Sequence, residues 1–260
     1  MSPSLRLRTA PSSLVPSVVA LGALLAIGVA FSGYATGRLS TGGTFPLALL
    51  GLVVAGSLTR RFGIALPGNG FSSYVLGVTS FAVMERGWEF AAFVAPLLTV
   101  LGDVVLRRLP LRLAGSNAAH LTAGSALAGI IYEQVGGATG PLALESDNVG
   151  PIAALVLLMV VIVNGSFYLE LTVTRAVAWV DARLTARWET IVYFSSVGLA
   201  LAWFWLLHSS LPLAAGLLIG AALAGATFVS AYVIRLGVHA DELLLVQRVA
   251  HLRQGPEVVS

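Results

Sequence analysis

The chain has 260 residues, of which 57% are hydrophobic and only 10% charged, and its mean hydropathy is +0.89. Soluble domains carry roughly 25% charged residues, so this composition excludes an ordinary soluble fold and implies an all-α, polytopic integral membrane helix bundle. The net charge of +3 does not point to nucleic acid, because the arginines fall in short loops where the orientation rule for spans accounts for them. The absence of cysteine removes disulfides, thiolate metal sites and cysteine nucleophiles.

A membrane span takes about 20 apolar residues, and on that measure the chain divides into about eight. Residues 1–13, carrying Arg6 and Arg8, read as a cytoplasmic tail. Residues 14–31 follow as an uncleaved signal anchor, since 32–37 make only a weak cleavage site. A short second span at 44–58 closes on Arg60 and Arg61, and Pro67-Gly68-Asn69-Gly70 then signals a tight turn. Spans three and four lie at 71–84 and 88–106. A knot of Arg107, Arg108 and Arg112 around Pro110 separates them from span five, 113–132. A glycine- and acid-rich loop, 133–150, leads to span six at 151–173. Residues 174–188 read as an amphipathic segment at the interface, with Trp179 and Trp188 at headgroup level and Arg175, Arg183 and Arg187 toward the cytoplasm. Spans seven and eight occupy 190–208 and 211–234, closing a multispan domain over 14–236. Residues 237–260 read as a cytoplasmic connector helix and tail, with Asp241 and Glu242 near its start and Leu245, Val249 and Leu252 on one face. That stretch is too short for a catalytic domain.

The arginines set the orientation. With both termini cytoplasmic, only Arg38 and Arg86 fall on the outer side, where the loops carry Glu85, Glu133, Glu145 and Asp147 instead. Small residues recur at four-residue spacing: Gly216, Gly220 and Ala224 in span eight, Gly22, Ala26 and Ala30 in span one. Such faces let helices approach closely, either within the chain or in a homodimer in the lipid bilayer.

Motifs for chemistry are lacking. The sequence has no phosphate-binding glycine loop with its lysine, no HExxH and no serine nucleophile elbow, and its four histidines are scattered. The expectation is a non-catalytic chain without cofactor or metal. Two polar groupings remain. Asp103, Asn117, His120, Asn164, Glu170 and Glu189 fall in the inner halves or at the inner ends of their spans. A carboxylate at mid-bilayer costs roughly 2.5–3.5 kcal/mol on insertion scales, so these should be paired. They form either a structural clasp or a switch that moves span eight, with Asn117 and Asn164 expected to pair reciprocally across spans five and six. On the outer side, Glu85, Arg86, Trp88, Glu89 and Glu133 are either interfacial charges around an anchoring tryptophan or the mouth of a site for a small polar ligand.

Four segments carry a family likeness. RRFGIALPGNG from Arg60, LGDVVLRR from Leu101, SNAAHLTAGSALAGIIYEQVGG from Ser116 and VIVNGSFYLELTV from Val161 together resemble the membrane-associated sensor (MASE-type) multispan input domain of bacterial HD-GYP and GGDEF signalling proteins. The likeness spans about residues 37–235 and lacks the effector domain. It implies a sensory module of the bacterial inner membrane, coupling a membrane or small-molecule signal to a cytoplasmic signalling partner. The glycine turn and Gly102-Asp103 also resemble the substrate-binding component of an energy-coupling-factor transporter, which implies a small-molecule pocket and an outward Arg61 loop.

Overall fold

The computed structural model describes residues 14–35, 45–66, 70–173 and 179–253. The described residues are almost wholly helical: α1 (Leu14–Ala35), α2 (Phe45–Arg61), α3 (Val75–Arg86), α4 (Trp88–Val100), α5 (Leu111–Gln134), α6 (Val149–Met159), α7 (Gly165–Val173), α8 (Trp179–His208) and α9 (Leu213–Arg253). Two wide π-helical turns interrupt them. Leu101–Leu106 extends α4, and Val160–Asn164 joins α6 to α7 without a break. Between α2 and α3 lies a small antiparallel hairpin, β1 (Ile64–Leu66) and β2 (Gly70–Ser72), with Ala65 opposite Phe71. Arg6, Arg8, Arg38, the Pro67-Gly68-Asn69 turn, Arg175 and the proposed face of Leu245, Val249 and Leu252 lie outside what is described.

Five helices are long and apolar enough to cross a membrane: Val15–Ala35, Trp88–Leu106, Ser146–Glu170, Leu184–His208 and Leu213–Leu244. They cover the predicted spans one, four, six, seven and eight. The chain is thus an all-α membrane protein. The other three predicted spans differ in kind. Helix α5 has 24 residues, long enough to cross, but small and polar side chains dilute its hydropathy. It lies in the middle of the bundle against α1, α4 and α6. A helix enclosed by other helices has no lipid to satisfy and is free to present Ala, Gly, Ser and Thr for close packing.

Helices α2 and α3 are short, at 17 and 12 residues. The predicted third span loses its first turn to the hairpin, so α3 rises only about 18 Å. Its start is capped from another element: Ser196 of α8 accepts the Gly77 N–H at 2.8 Å and donates to the Tyr74 carbonyl at 2.8 Å. The first hairpin strand is packed into the protein, with Ile64 and Leu66 1% and 3% exposed.

The main core joins Phe45, Phe81, Phe90, Leu98, Tyr132, Met159 and Phe204 from six helices. A second, smaller cluster joins Ile64, Leu66, Tyr74, Trp188, Val192, Ile234 and Val238, tying the hairpin to α8 and α9. This cluster corrects the expected interfacial segment. Trp179–Trp188 runs into α8 as one helix, and Trp188 is buried rather than at a headgroup surface. Its ring fits against α9 only because position 237 is glycine, where an added Cβ would meet the indole at 2.3 Å. Helix α9 likewise runs through the predicted boundary between span eight and connector, as a single helix of 41 residues.

Candidate functional site

The inner polar residues separate into three neighbouring clusters. The first is built on Asp103, which the π turn presents to α2. Gly102 lets the backbones meet, because an added Cβ there would lie 2.9 Å from the Arg60 Cβ. The carboxylate is fully buried. Arg60 grips it from two nitrogens, Nε to Oδ1 at 2.8 Å and Nη2 to Oδ2 at 2.5 Å. Arg107, four residues on, donates to Oδ1 at 2.9 Å, and Asn117 Nδ2 donates to Oδ2 at 2.9 Å. Two guanidinium groups therefore face one carboxylate, and the cluster carries an excess positive charge. Charge-assisted, two-pronged contacts of this kind are the strong members of the hydrogen-bond class.

This geometry corrects the expected Asn117–Asn164 pair. Asn117 is committed to Asp103, while Asn164 ends the second π turn in a half-buried position. An ionised carboxylate is a better acceptor than an amide oxygen, so the asparagine turns to the charge.

One turn further along α5, His120 begins the second cluster. It is 3% exposed and is held from both ring nitrogens by α7: Nδ1 lies 2.8 Å from Ser166 Oγ, Nε2 2.6 Å from Glu170 Oε2. Ser116 also reaches Glu170, at 3.4 Å. Ser166 and Glu170 sit four apart and so share a helix face, which makes a pincer on the imidazole. A hydroxyl, an imidazole and a carboxylate in line are the ingredients of a nucleophilic triad, but Ser166 Oγ also lies 3.0 Å from the Val163 carbonyl of its own helix. The arrangement clasps α5 to α7 and holds one proton between Nε2 and Oε2. In the third cluster the Tyr168 hydroxyl donates to Glu189 at 2.7 Å, binding α7 to the buried start of the α8 span.

The first cluster does not end at Asp103. The Arg107 guanidinium stacks over the Phe71 ring, 3.4 Å from its centroid, and so touches the hairpin. From the other side, Arg235 of α9 donates to the Phe62 and Gly63 carbonyls just before β1. Tyr74 and Ser230 share a hydrogen bond of 2.5 Å. Farther along α9, Asp241 accepts from Trp188 Nε1 at 3.1 Å and Arg187 at 3.3 Å. The hairpin is thus the middle member of a contact series from Asp103 to α9.

No family model, curated protein or solved structure matches the chain. The geometry therefore stands alone.

At the opposite end of α4, the second predicted grouping is only partly gathered. Glu85 pairs with His208 at 2.8 Å, and Arg86 lies over the Phe45 and Phe90 rings. Glu133 accepts the Trp88 N–H at 3.2 Å, beside a Gly87 turn with φ +88 where Glu89 also approaches. Partial burial, and the nearby Glu89 carboxylate, push the Glu133 carboxyl above its usual range, although the Trp88 bond opposes this. These charges surround the α3–α4 turn rather than a described cavity.

Sequence reasoning missed Arg60, read only as a topology marker, and Ser166, whose spacing to Glu170 was a usable signal. It also missed Asn148, which is buried and locks the loop that precedes it. Asn148 donates to the Tyr132 hydroxyl at 2.8 Å and the Ala143 carbonyl at 2.9 Å, and accepts the Ala138 N–H at 2.9 Å.

Proposed function

We propose that this chain is a non-catalytic sensory or input module of the bacterial inner membrane. It has about eight spans and both termini cytoplasmic, and it passes a membrane or small-molecule signal to a cytoplasmic partner. The observation that carries this reading is α9. A helix of 41 residues is about 62 Å long, twice the roughly 30 Å hydrocarbon core. It leaves the bilayer without a break and meets the Asp103 cluster through the hairpin. A change in that cluster alters the position of Arg107 over Phe71, then the hairpin, then the Arg235 and Tyr74 contacts on α9. The resemblance to sensor domains supports the same assignment, as do the arginines gathered at the Asp103 end.

Two measurements test it. Reporter fusions after Arg61, Arg112 and Arg235 should all read cytoplasmic. An outer reading at Arg61 favours the transporter-component alternative. In single-cysteine variants at positions 239–247, Arg107→Gln should change the disulfide or cross-linking pattern of α9 while insertion stays intact. An unchanged pattern in both Arg107→Gln and Phe71→Ala removes the coupling.

A further inference from the structure

We propose that a groove between α2, the hairpin and α9 binds one anionic phospholipid, with an acyl chain along its apolar walls and the phosphate on Arg235. The groove has a volume of about 220 Å³ and is open along one side. That is smaller than the roughly 300–1,000 Å³ of pockets that enclose a drug-sized ligand, but it suits a length of hydrocarbon entering from the bilayer. Its walls are Leu58, Phe62, Ile64, Phe228 and Ala231. Leu58, Phe62 and Phe228 are 46%, 55% and 72% exposed, so the mouth opens where lipid lies.

The polar atoms along the groove say what else the occupant must carry. Thr59 and Thr227 donate to carbonyls of their own helices, at 2.8 Å each, and Tyr74 is satisfied by Ser230. Ser73 is different. It lines the groove, is 7% exposed, and its hydroxyl has no hydrogen-bond partner. A buried hydroxyl without a partner is uncommon; its oxygen is covered as it stands, and a change of side-chain rotamer would bring it to an ester or phosphate oxygen in the groove. Arg235 lines the groove and is exposed, with one Nη holding the Phe62 and Gly63 carbonyls. A guanidinium has five N–H donors, so others are left for a phosphate. Basic pockets between membrane helices recognise anionic headgroups. A zwitterionic lipid would fill the walls but carry no net negative charge to Arg235, and a tail-free phosphate would answer Arg235 without filling the walls. The site stands whether or not the chain is a sensor.

The test uses the full chain in mild detergent, with native mass spectrometry and thermal unfolding as readouts. Phosphatidylglycerol should be retained about fivefold more than phosphatidylcholine, the preference one arginine near a membrane surface supplies, and should raise the unfolding midpoint more. Arg235→Gln should abolish the preference. Ala231→Trp, which fills the groove and leaves every hydrogen bond in place, should abolish retention of either lipid there. Equal retention of the two lipids by the unaltered chain would overturn the proposal. So would a preference that survives both substitutions, or stabilisation by glycerol phosphate matching that by phosphatidylglycerol.

Discussion

Replacing Asp103 with Asn removes one charge and almost no volume from a fully enclosed carboxylate. The side chain is 0% exposed, and its cationic partners Arg60 and Arg107 are 9% and 18% exposed. After the change, two guanidinium groups remain in that space with no counter-charge. Breaking a buried pair from one side costs about 3–5 kcal/mol, because the surviving charge stays desolvated. Removing Asn117 is a different matter. Asn117→Leu deletes one 2.9 Å bond, and single intramembrane bonds average only about 0.6 kcal/mol and reach about 1.7. The expected order is therefore Asp103→Asn far more damaging than Asn117→Leu. Adding Arg60→Gln to Asp103→Asn should recover part of the loss, since it removes one unpaired cation, with a coupling of about 0.5–3 kcal/mol between the contacting sites. Reversible unfolding in mixed micelles, followed by tryptophan emission, gives the values for the unaltered chain, for Asp103→Asn, Arg60→Gln and Asn117→Leu, and for the double variant. If Asp103→Asn lies within about 0.5 kcal/mol of the unaltered chain, or the double variant is no better than Asp103→Asn alone, the cluster does not bear on stability in the way its burial requires.

Gly237→Leu should force α9 away from Trp188, and a cysteine pair across α8 and α9 near positions 188 and 241 should lose its disulfide while one at the far end of α8 keeps it. Asn148→Ala leaves the half-buried Ala138 N–H and the buried Ala143 carbonyl without their partner, a loss of about 1–3 kcal/mol, and should speed proteolysis between residues 136 and 147. Glu133 has a raised carboxyl pKa, so its stabilising contribution is complete below the ordinary value of 4.5 and is lost as pH rises through the folded-state value. Glu133→Gln should flatten that part of the stability profile and leave the chain at least as stable at neutral pH. A steeper decline with pH in the variant would contradict the assignment.

The long apolar helices were legible because the cost of placing charge in hydrocarbon is paid residue by residue and shows in any window of the sequence. What was not legible depends on approach between distant segments. Arg60 and Asp103 are 43 residues apart, and their contact follows from the missing side chain at Gly102, not from any periodicity. The partner of Asn117 was sought on the next span, whereas the nearest ionised acceptor lay 14 residues back across the arginine turn. Residues 71–84 read as continuous apolar sequence, yet their start pairs as a strand, because the Gly70 end of the preceding turn is already committed to a hairpin. Trp188 looked like an interfacial anchor by composition; only the facing glycine of α9 makes it a buried contact.

The two π turns have a geometric consequence for the clusters that follow them. Each contains one residue more than an α-helical turn would need, and one residue is worth about 100° of rotation around a helix axis. Arg107 comes after the first wide turn, closing it with an N–H to the Gly102 carbonyl at 3.0 Å; Ser166 and Glu170 come after the second. In an uninterrupted α-helix Ser166 and Glu170 would point about a quarter of the way round the helix axis from where they are, away from His120, whereas Arg107 stays on the Asp103 face in either geometry because the two are four residues apart. The extra residue in each turn acts as a phase shifter. It lets the lipid-facing stripe of one half-helix and the polar face of the next be chosen separately, within a backbone that never leaves helical hydrogen bonding.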